Sequence, residues 1–301
     1  MSILVTGAVG QLGTDVVAEL KKREIEFICT DIVDAATVGS NDRSLSNIDI
    51  LDITDRAAVL EYITSKKPQA VIHCAAYTAV DKAEDEPELC FIVNADGTES
   101  IAKACKEIDA EMIYISTDYV FDGKGEKPYE TDAVKAPISV YGKSKLAGEE
   151  AVLNHLDKFY IIRISWVFGQ AGTNFVKTML RLAEKREELN VVSDQIGSPT
   201  YTPDLAALLC DMVQSMESAA HPKKYGTYHA TNEGFCSWAE FATEIMKQSG
   251  SNCKINPIPT EQYPTKATRP KNSRLSKVCL DNVGFARLPT WQDALSRFLS
   301  G

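Results

Sequence analysis

The chain has no apolar run approaching the roughly 18 residues that a membrane-spanning helix requires, and it has no internal repeat or low-complexity tract. It also lacks a basic surplus: 32 Lys and Arg stand against 42 Asp and Glu, a formal net charge of −10. Nucleic acid and anionic membranes demand clustered cations, so both are excluded as general partners. A small anionic ligand is not excluded, because one local basic pocket suffices for it. None of the eight cysteines (Cys29, Cys74, Cys90, Cys105, Cys210, Cys236, Cys253, Cys279) falls in a C-x-x-C or metal-type spacing. Most lie within apolar runs, such as Phe27-Ile28-Cys29 and Val71-Ile72-His73-Cys74, and read as reduced core thiols in a reducing compartment. The first residues carry no basic n-region and no signal-type cleavage site, which gives the expectation of a cytoplasmic protein.

What the 301 residues do contain is an alternation of strand and helix signals. Short β-type runs occur at Ile3–Thr6, Phe27–Thr30, Ala70–Cys74, Met112–Ser116 and Tyr160–Ile164. Helical patterns separate them: residues 12–22 with Leu12, Val16 and Leu20 on one face, Asp55–Lys66, about 87–108, and 141–154. This order predicts parallel βαβ units and an α/β, doubly wound sheet. The second half is less regular. Residues 174–188 and 203–216 read as helices and Gly226–Ala230 as one more strand. Ser237 and Glu240 form a capping box for a helix ending at Gly250, residues 257–274 read as a long loop, and a last helix starts near Thr290.

The first strand runs into Thr6-Gly7-Ala8-Val9-Gly10-Gln11-Leu12-Gly13. Glycines at this point let backbone N–H groups approach a pyrophosphate at a helix N-terminus. The spacing is G-x-x-G-x-x-G rather than the commoner G-x-G-x-x-G. Asp31 ends the second strand, 18 residues after Gly13. A carboxylate there suits the adenosine ribose hydroxyls of a dinucleotide and repels a 2′-phosphate, which favours NADH over NADPH. Asp52-Ile53 follows as an adenine-side candidate, with helix capping by Asp52 as the alternative. The expected division is a dinucleotide-binding domain over 1–170 and a mainly substrate-binding region over 171–301. Part of the latter, about 196–232, is expected to rejoin the first.

Tyr141-Gly142-Lys143-Ser144-Lys145 is a Y-x-x-x-K, which sets both side chains on one helix face. A free tyrosine has a pKa near 10, and an adjacent ammonium is expected to lower it. Ser116-Thr117-Asp118 closes the strand before this helix, at the sheet end where ligands of doubly wound folds gather. Carbonyl/alcohol redox chemistry on a nicotinamide follows as the expectation.

With these motifs the chain resembles the extended short-chain dehydrogenase/reductases, and more narrowly the dTDP-4-dehydrorhamnose reductases. The narrower likeness rests on His73 to Glu84, Arg163-Ile164-Ser165-Trp166-Val167-Phe168, Asn174-Phe175, Asp194 to Thr200 and Arg269-Pro270-Lys271-Asn272-Ser273, and spans essentially the whole chain. The resemblance implies that Tyr141 protonates the C4 oxygen of a 4-keto sugar, Lys145 tunes Tyr141 and grips the nicotinamide ribose, and Thr117 hydrogen-bonds the carbonyl. It implies further that Gly10, Gln11 and Leu12 line the pyrophosphate and that Ala75, Ala76 and Tyr77 flank the cofactor. Asp118, Trp166 and Asn174 would serve the sugar nucleotide, and Arg269 its diphosphate. Trp166 as core packing, Arg269 as a surface charge and His73 as a structural residue stand as the plainer alternatives. Some members of the resembled family are Mg²⁺-bridged dimers. Asp15 and Asp293 are acidic here, but Gln292 stands where an acid is sought, so no metal site is expected and a homodimer is left open. A nucleotide-sugar 4-epimerase and a non-catalytic subunit like the regulatory one of methionine adenosyltransferase are the competing readings.

Overall fold

A computed structural model describes residues 2–33, 48–217 and 224–301. Strands β1 (Ser2–Thr6), β2 (Glu26–Asp31), β3 (Ile48–Ile50), β4 (Ala70–His73), β5 (Glu111–Thr117) and β6 (Phe159–Ile164) precede the short β7 (Val167–Phe168). β8 (Glu188–Val192), β9 (Ile196–Gly197), β10 (Thr200–Tyr201), β11 (Gly226–His229), β12 (Cys236–Ser237) and β13 (Lys254–Ile258) follow. Seven strands form one sheet in the order β11-β6-β5-β4-β1-β2-β3, with every pairing parallel.

Most inner positions of the central strands are apolar because both faces are covered, and polar residues such as Thr6, His73 and Thr117 stand at their C-terminal ends. Ile3, Val5, Ile72, Ile113 and Ile162 enter one core; Leu4, Val71, Met112 and Ile161, one residue out of phase, enter the other. Helix α1 (Gln11–Lys22) lies on the first face through Leu12, Val16, Val17 and Leu20. On the opposite face lie α2 (Arg56–Lys66), whose N-cap Asp55 accepts from the Ala57 and Ala58 amides, and the helical stretch from residue 87. Each fully buried aliphatic side chain contributes roughly 1.5–3 kcal/mol.

The helix expected over 87–108 is not continuous. After the short α3 (Val80–Ala83) come α4 (Pro87–Phe91), a π-helical segment Ile92–Gly97, and α5 (Thr98–Glu107). Asn94 explains the interruption: its side chain bonds the Tyr77 backbone at both ends, accepting from its N–H at 2.8 Å and donating to its carbonyl at 3.0 Å. A widened turn at a functional site is a known use of the π-helix. Helix α6 (Val140–His155) opens on Ser139, whose hydroxyl accepts from the Gly142 amide.

In the second half, α7 (Phe175–Ala183) ends five residues before the expected 188. There β8 begins, alternating exposed Glu188 and Asn190 with buried Leu189 and Val191. It pairs in parallel with β13, which occupies the start of what the sequence suggested was loop. Pro257 is compatible with this two-stranded ribbon because one edge of the strand is unpaired. Helix α8 (Thr202–Glu217) covers α1, while α9 (Trp238–Ser249), α10 (Val278–Asp281) and α11 (Trp291–Ser300) complete the chain. The capping box of Ser237 and Glu240 and the left-handed Gly250 bound α9 as expected. Phe168, Val176, Phe241, Trp291 and Phe298 make a separate core beside the sheet. Among the described residues no helix is long and apolar enough to cross a membrane.

Candidate active site

The parallel register aligns Thr6 of β1 with Thr30 and His73, and Thr117 of β5 with Ile164. The C-terminal strand ends therefore form one rim, and a cavity of about 870 Å³ opens along it. Its walls include Gly7, Gly10, Gln11, Leu12, Gly13, Asp31, Asp52, Ile53, Ala75, Ala76, Tyr77, Thr117, Asp118, Tyr141, Lys145 and Trp166. Asn174 and Arg269 are the two expected site residues outside that wall.

At one end the glycine turn is built for close approach. Gly7 has φ +67°, and a Cβ on it would lie 2.5 Å from the Ala75 amide nitrogen. A Cβ on Gly13 would lie 2.1 Å from the Gly7 carbonyl oxygen. No side chain caps the N-terminus of α1 at Gly10, so its first-turn N–H groups stay open to an anion. The Asp31 carboxylate accepts from the Val9 amide at 2.9 Å and the Ile32 amide at 2.7 Å, which ties the turn to the end of β2. Asp52 does not cap α2; it accepts from the Thr54 amide and hydroxyl at 2.9 and 2.7 Å, and the cap is Asp55. These features fit a dinucleotide: a cradle that side chains would fill, a helix N-terminus, and a carboxylate at the second strand end.

At the other end two elements, β5 and α6, bring Thr117, Tyr141 and Lys145 together. The Thr117 hydroxyl donates to Asp118 Oδ1 at 3.0 Å, accepts from the Tyr119 amide at 3.2 Å, and stands close enough to the Tyr141 phenol to favour its ionised form. Tyr119 meets Tyr141 edge to face, with ring centroids 5.5 Å apart. The Lys145 ammonium is almost wholly buried, and burial pulls its pKa down to about 7, partly offset by the charge of Glu149. The expectation that Lys145 lowers the Tyr141 pKa is corrected: burial, helped by the Asp118 charge, raises it above the ordinary tyrosine value. Such a phenol keeps its proton at neutral pH, as a proton donor must. Burial likewise pushes Asp118 up to about 6, against the opposing effect of the Ser273 and Thr117 hydroxyls.

His73 is structural in this geometry. Its Nδ1 meets the Thr6 hydroxyl at 2.7 Å and its Nε2 the Thr98 hydroxyl at 3.2 Å, and burial pulls its pKa down to about 3. Thr98 gives its own proton to the Asn94 carbonyl, so Nε2 is the imidazole N–H and Nδ1 the acceptor. Trp166 is not core packing alone: it lines the cavity in a left-handed backbone conformation, φ 51°. It stacks on Trp238 at 3.7 Å, and that second indole, also a wall of the cavity, was not anticipated. Asn94 was missed as well; besides holding Tyr77 it donates to the Ser144 hydroxyl at 3.0 Å, bracing α6 next to Lys145. An asparagine inside an otherwise apolar helical period was the signal available for it.

Asn174 caps α7, accepting from the Lys177 amide and donating to the Gly169 carbonyl at 2.8 Å. Arg269 lines a second cavity of about 780 Å³, together with Lys124, Tyr263, Lys271 and Arg274. Its guanidinium pairs with Asp81 at 2.7 Å and donates to the Tyr119 hydroxyl at 3.3 Å, which places it at the junction of the two cavities.

Comparison with known proteins adds to this geometry. The family model for the RmlD substrate binding domain matches residues 1–301. The chain is 40% identical to the spore coat polysaccharide biosynthesis protein SpsK of Bacillus subtilis, over 99% of this chain and 96% of that one. It is 39% identical to a dTDP-4-dehydrorhamnose reductase of Escherichia coli, over 100% and 97%. Among solved structures, a dTDP-4-dehydrorhamnose reductase of Clostridium acetobutylicum superposes with TM-score 0.90 at 40% identity, covering 100% and 99%. The Bacillus anthracis reductase in complex with NADP gives 0.89 at 39%, covering 99% and 98%.

Proposed function

The chain belongs to the RmlD substrate-binding family, and on that premise we propose that it reduces dTDP-4-dehydro-L-rhamnose to dTDP-L-rhamnose with NADH or NADPH, for cell-surface polysaccharide synthesis. The observation that carries the reading is the convergence of Thr117, Tyr141 and Lys145 at one end of a cavity whose other end is the Gly7–Gly13 turn and Asp31. When bound, the nicotinamide supplies the hydride that reaches the sugar C4.

The remaining work falls to the chain itself. Tyr141 gives its phenolic proton to the C4 oxygen as the carbonyl becomes an alcohol. The resulting phenolate is steadied by the Thr117 hydroxyl and the field of the Lys145 ammonium, which offset part of the cost of burying it. Lys145, protonated below its depressed pKa, also serves the cofactor ribose. Trp166 and Trp238 present an apolar wall to the sugar, and Asp118 a polar group on the side of Thr117. Arg269 faces the diphosphate.

The test is direct. Purified chain is mixed with NADH or NADPH and the 4-keto sugar nucleotide, and cofactor absorbance and the product sugar are followed. Oxidation of either cofactor with conversion of the C4 ketone to the C4 alcohol of the sugar supports the reading. If neither is consumed, the reading is wrong.

A further inference from the structure

The segment 264–273 runs as a strap between the shoulder of the first cavity and the rim of the second. Pro264, Thr265, Ala267, Thr268, Arg269 and Lys271 line the second cavity. At its far end the strap is sewn to the body by backbone: the Asn272 amide donates to the Gly123 carbonyl at 2.9 Å, and the Ser273 amide to the Ile196 carbonyl at 2.7 Å. Gly123 is pressed so closely that a Cβ there would lie 2.5 Å from Pro270. Among the described residues the near end carries no such backbone pairing to the body. It is held by two carboxylates of the α3 region. Asp81 accepts from the Ala267 amide at 3.1 Å through Oδ1 and from Arg269 at 2.7 Å through Oδ2, and Asp85 pairs with Lys266.

We infer that Asp81 is a positioning residue for the anionic part of the substrate. It fixes Arg269 by holding both the guanidinium and the backbone two residues before it. The inference rests on the proposed contact between Arg269 and the diphosphate.

The geometry argues for positioning rather than plain surface pairing. Asp81 follows Val80, which lines the first cavity, and sits one turn before Glu84, which accepts from the Val140 amide at the start of α6. Arg269 in turn reaches Tyr119, whose ring edges against Tyr141. Asp81 therefore connects the loop after β4, the strap and the neighbourhood of the proton donor. An arginine side chain left to itself samples many rotamers. A carboxylate that holds one edge of the guanidinium fork removes part of that freedom before the ligand arrives, which raises affinity by lowering the ordering cost. The pair is partly exposed, 29% for Arg269 and 45% for Asp81, so the gain is modest.

Thymidine diphosphate is the probe, measured as a competitive inhibitor and by calorimetry on the full chain, with NADPH binding measured in parallel. Asp81→Asn is expected to weaken thymidine diphosphate by about three- to tenfold, to raise KM for the sugar nucleotide in step, and to leave NADPH affinity and kcat near wild type. Asp81→Glu should restore part of the loss, and Asp85→Asn should do little. Wild-type or tighter binding of thymidine diphosphate by Asp81→Asn, with Arg269→Gln weakened, overturns the inference and leaves the diphosphate contact standing. Unchanged binding in Arg269→Gln removes the contact itself and the inference with it. Equal losses of NADPH and thymidine diphosphate affinity in Asp81→Asn would mark a general structural role and also overturn it.

Discussion

The Lys145 ammonium lies over the ring of Tyr114, 4.1 Å from its centroid, and forms no ion pair with a carboxylate among the described residues. A ring face stabilises a cation less than a carboxylate does, and burial removes water, so the group stands near the edge of ionisation. Glu149 supplies the compensating charge from one helical turn further along α6. Its own oxygens are taken by Arg163 at 2.7 and 2.8 Å and by Ser116 at 2.6 Å.

A pH dependence follows for the free enzyme. Below a pKa of about 7 Lys145 is charged, and above it the ammonium is lost. If the charge is needed, kcat/KM for the cofactor falls as pH rises through neutrality, because this ratio reports the free enzyme. A profile flat from pH 6 to 9 would show that the Lys145 charge plays no part.

Tyr141→Phe removes the proposed proton donor and leaves the ring that packs against Tyr119. The expected loss in kcat is on the order of 10²–10⁴, with cofactor binding retained. Single-turnover rates near wild type would assign the proton to another group.

Asp31→Asn keeps an acceptor for the Val9 amide and discharges the strand end. The ratio of kcat/KM for NADPH to that for NADH should rise several-fold, as expected for removing a charge worth about 1 kcal/mol near a phosphate in water-like surroundings. An unchanged ratio would mean that Asp31 does not face the ribose.

Acid should weaken the fold. Burial pulls His73 and His229 down to about 3, so between pH 6.5 and 3 the unfolded chain binds two protons that the native protein does not, and stability falls as pH falls. Asp118, raised to about 6, acts oppositely between pH 6 and 3.8, where the native protein holds one proton more. Asp15, raised by burial, acts in the same sense as Asp118, whereas carboxylates held low by partners, such as Glu19, Asp194 and Glu244, add to the loss with the histidines. The melting temperature should therefore drop on acidification from pH 7 to 4.5, and Asp118→Asn should steepen the drop. A rise in melting temperature with acid would contradict the assignment of neutral buried histidines.

Glu149→Ala strands the Arg163 guanidinium, which is 1% exposed. The cost expected is about 3–5 kcal/mol, read from denaturant midpoints. The pair Glu149→Gln with Arg163→Met should recover much of it. If it does not, the bonds of the pair to Ser116 and Thr131 matter more than the charge.

Local spacing explains what could be read ahead of the coordinates. Gly7, Gly10, Gly13 and Asp31 lie within one βαβ unit, and Tyr141 and Lys145 within one helical turn, so their meeting is dictated by a period. The strand runs around Val5, Ile72, Ile113 and Ile162 are mostly apolar because helices cover both faces, and that pattern is visible in one dimension. Trp238 meets Trp166 only because the chain returns after α8 and β11. Asp81 and Arg269 are 188 positions apart, and β8 and β13 pair across 66 positions, beyond the reach of any local signal. The Tyr141 pKa was misjudged for a related reason: an adjacent lysine is a sequence feature, whereas depth of burial is a property of the whole fold.

Strand β11 is the last of the sheet to be made. It pairs with β6, yet roughly 60 residues separate Ile164 from Gly226, about 3–12 s of translation at ordinary rates. Until it arrives, the outer edge of β6 is a row of unpaired backbone groups next to Tyr160, whose ring later packs with Tyr225, Tyr228 and Phe285. The nascent chain emerging from the ribosome therefore offers a bare parallel edge just when its dinucleotide-binding strands are already in place. Expression problems and chaperone dependence in variants of this protein should concentrate in residues 225–229 and around Phe285, far from the chemistry.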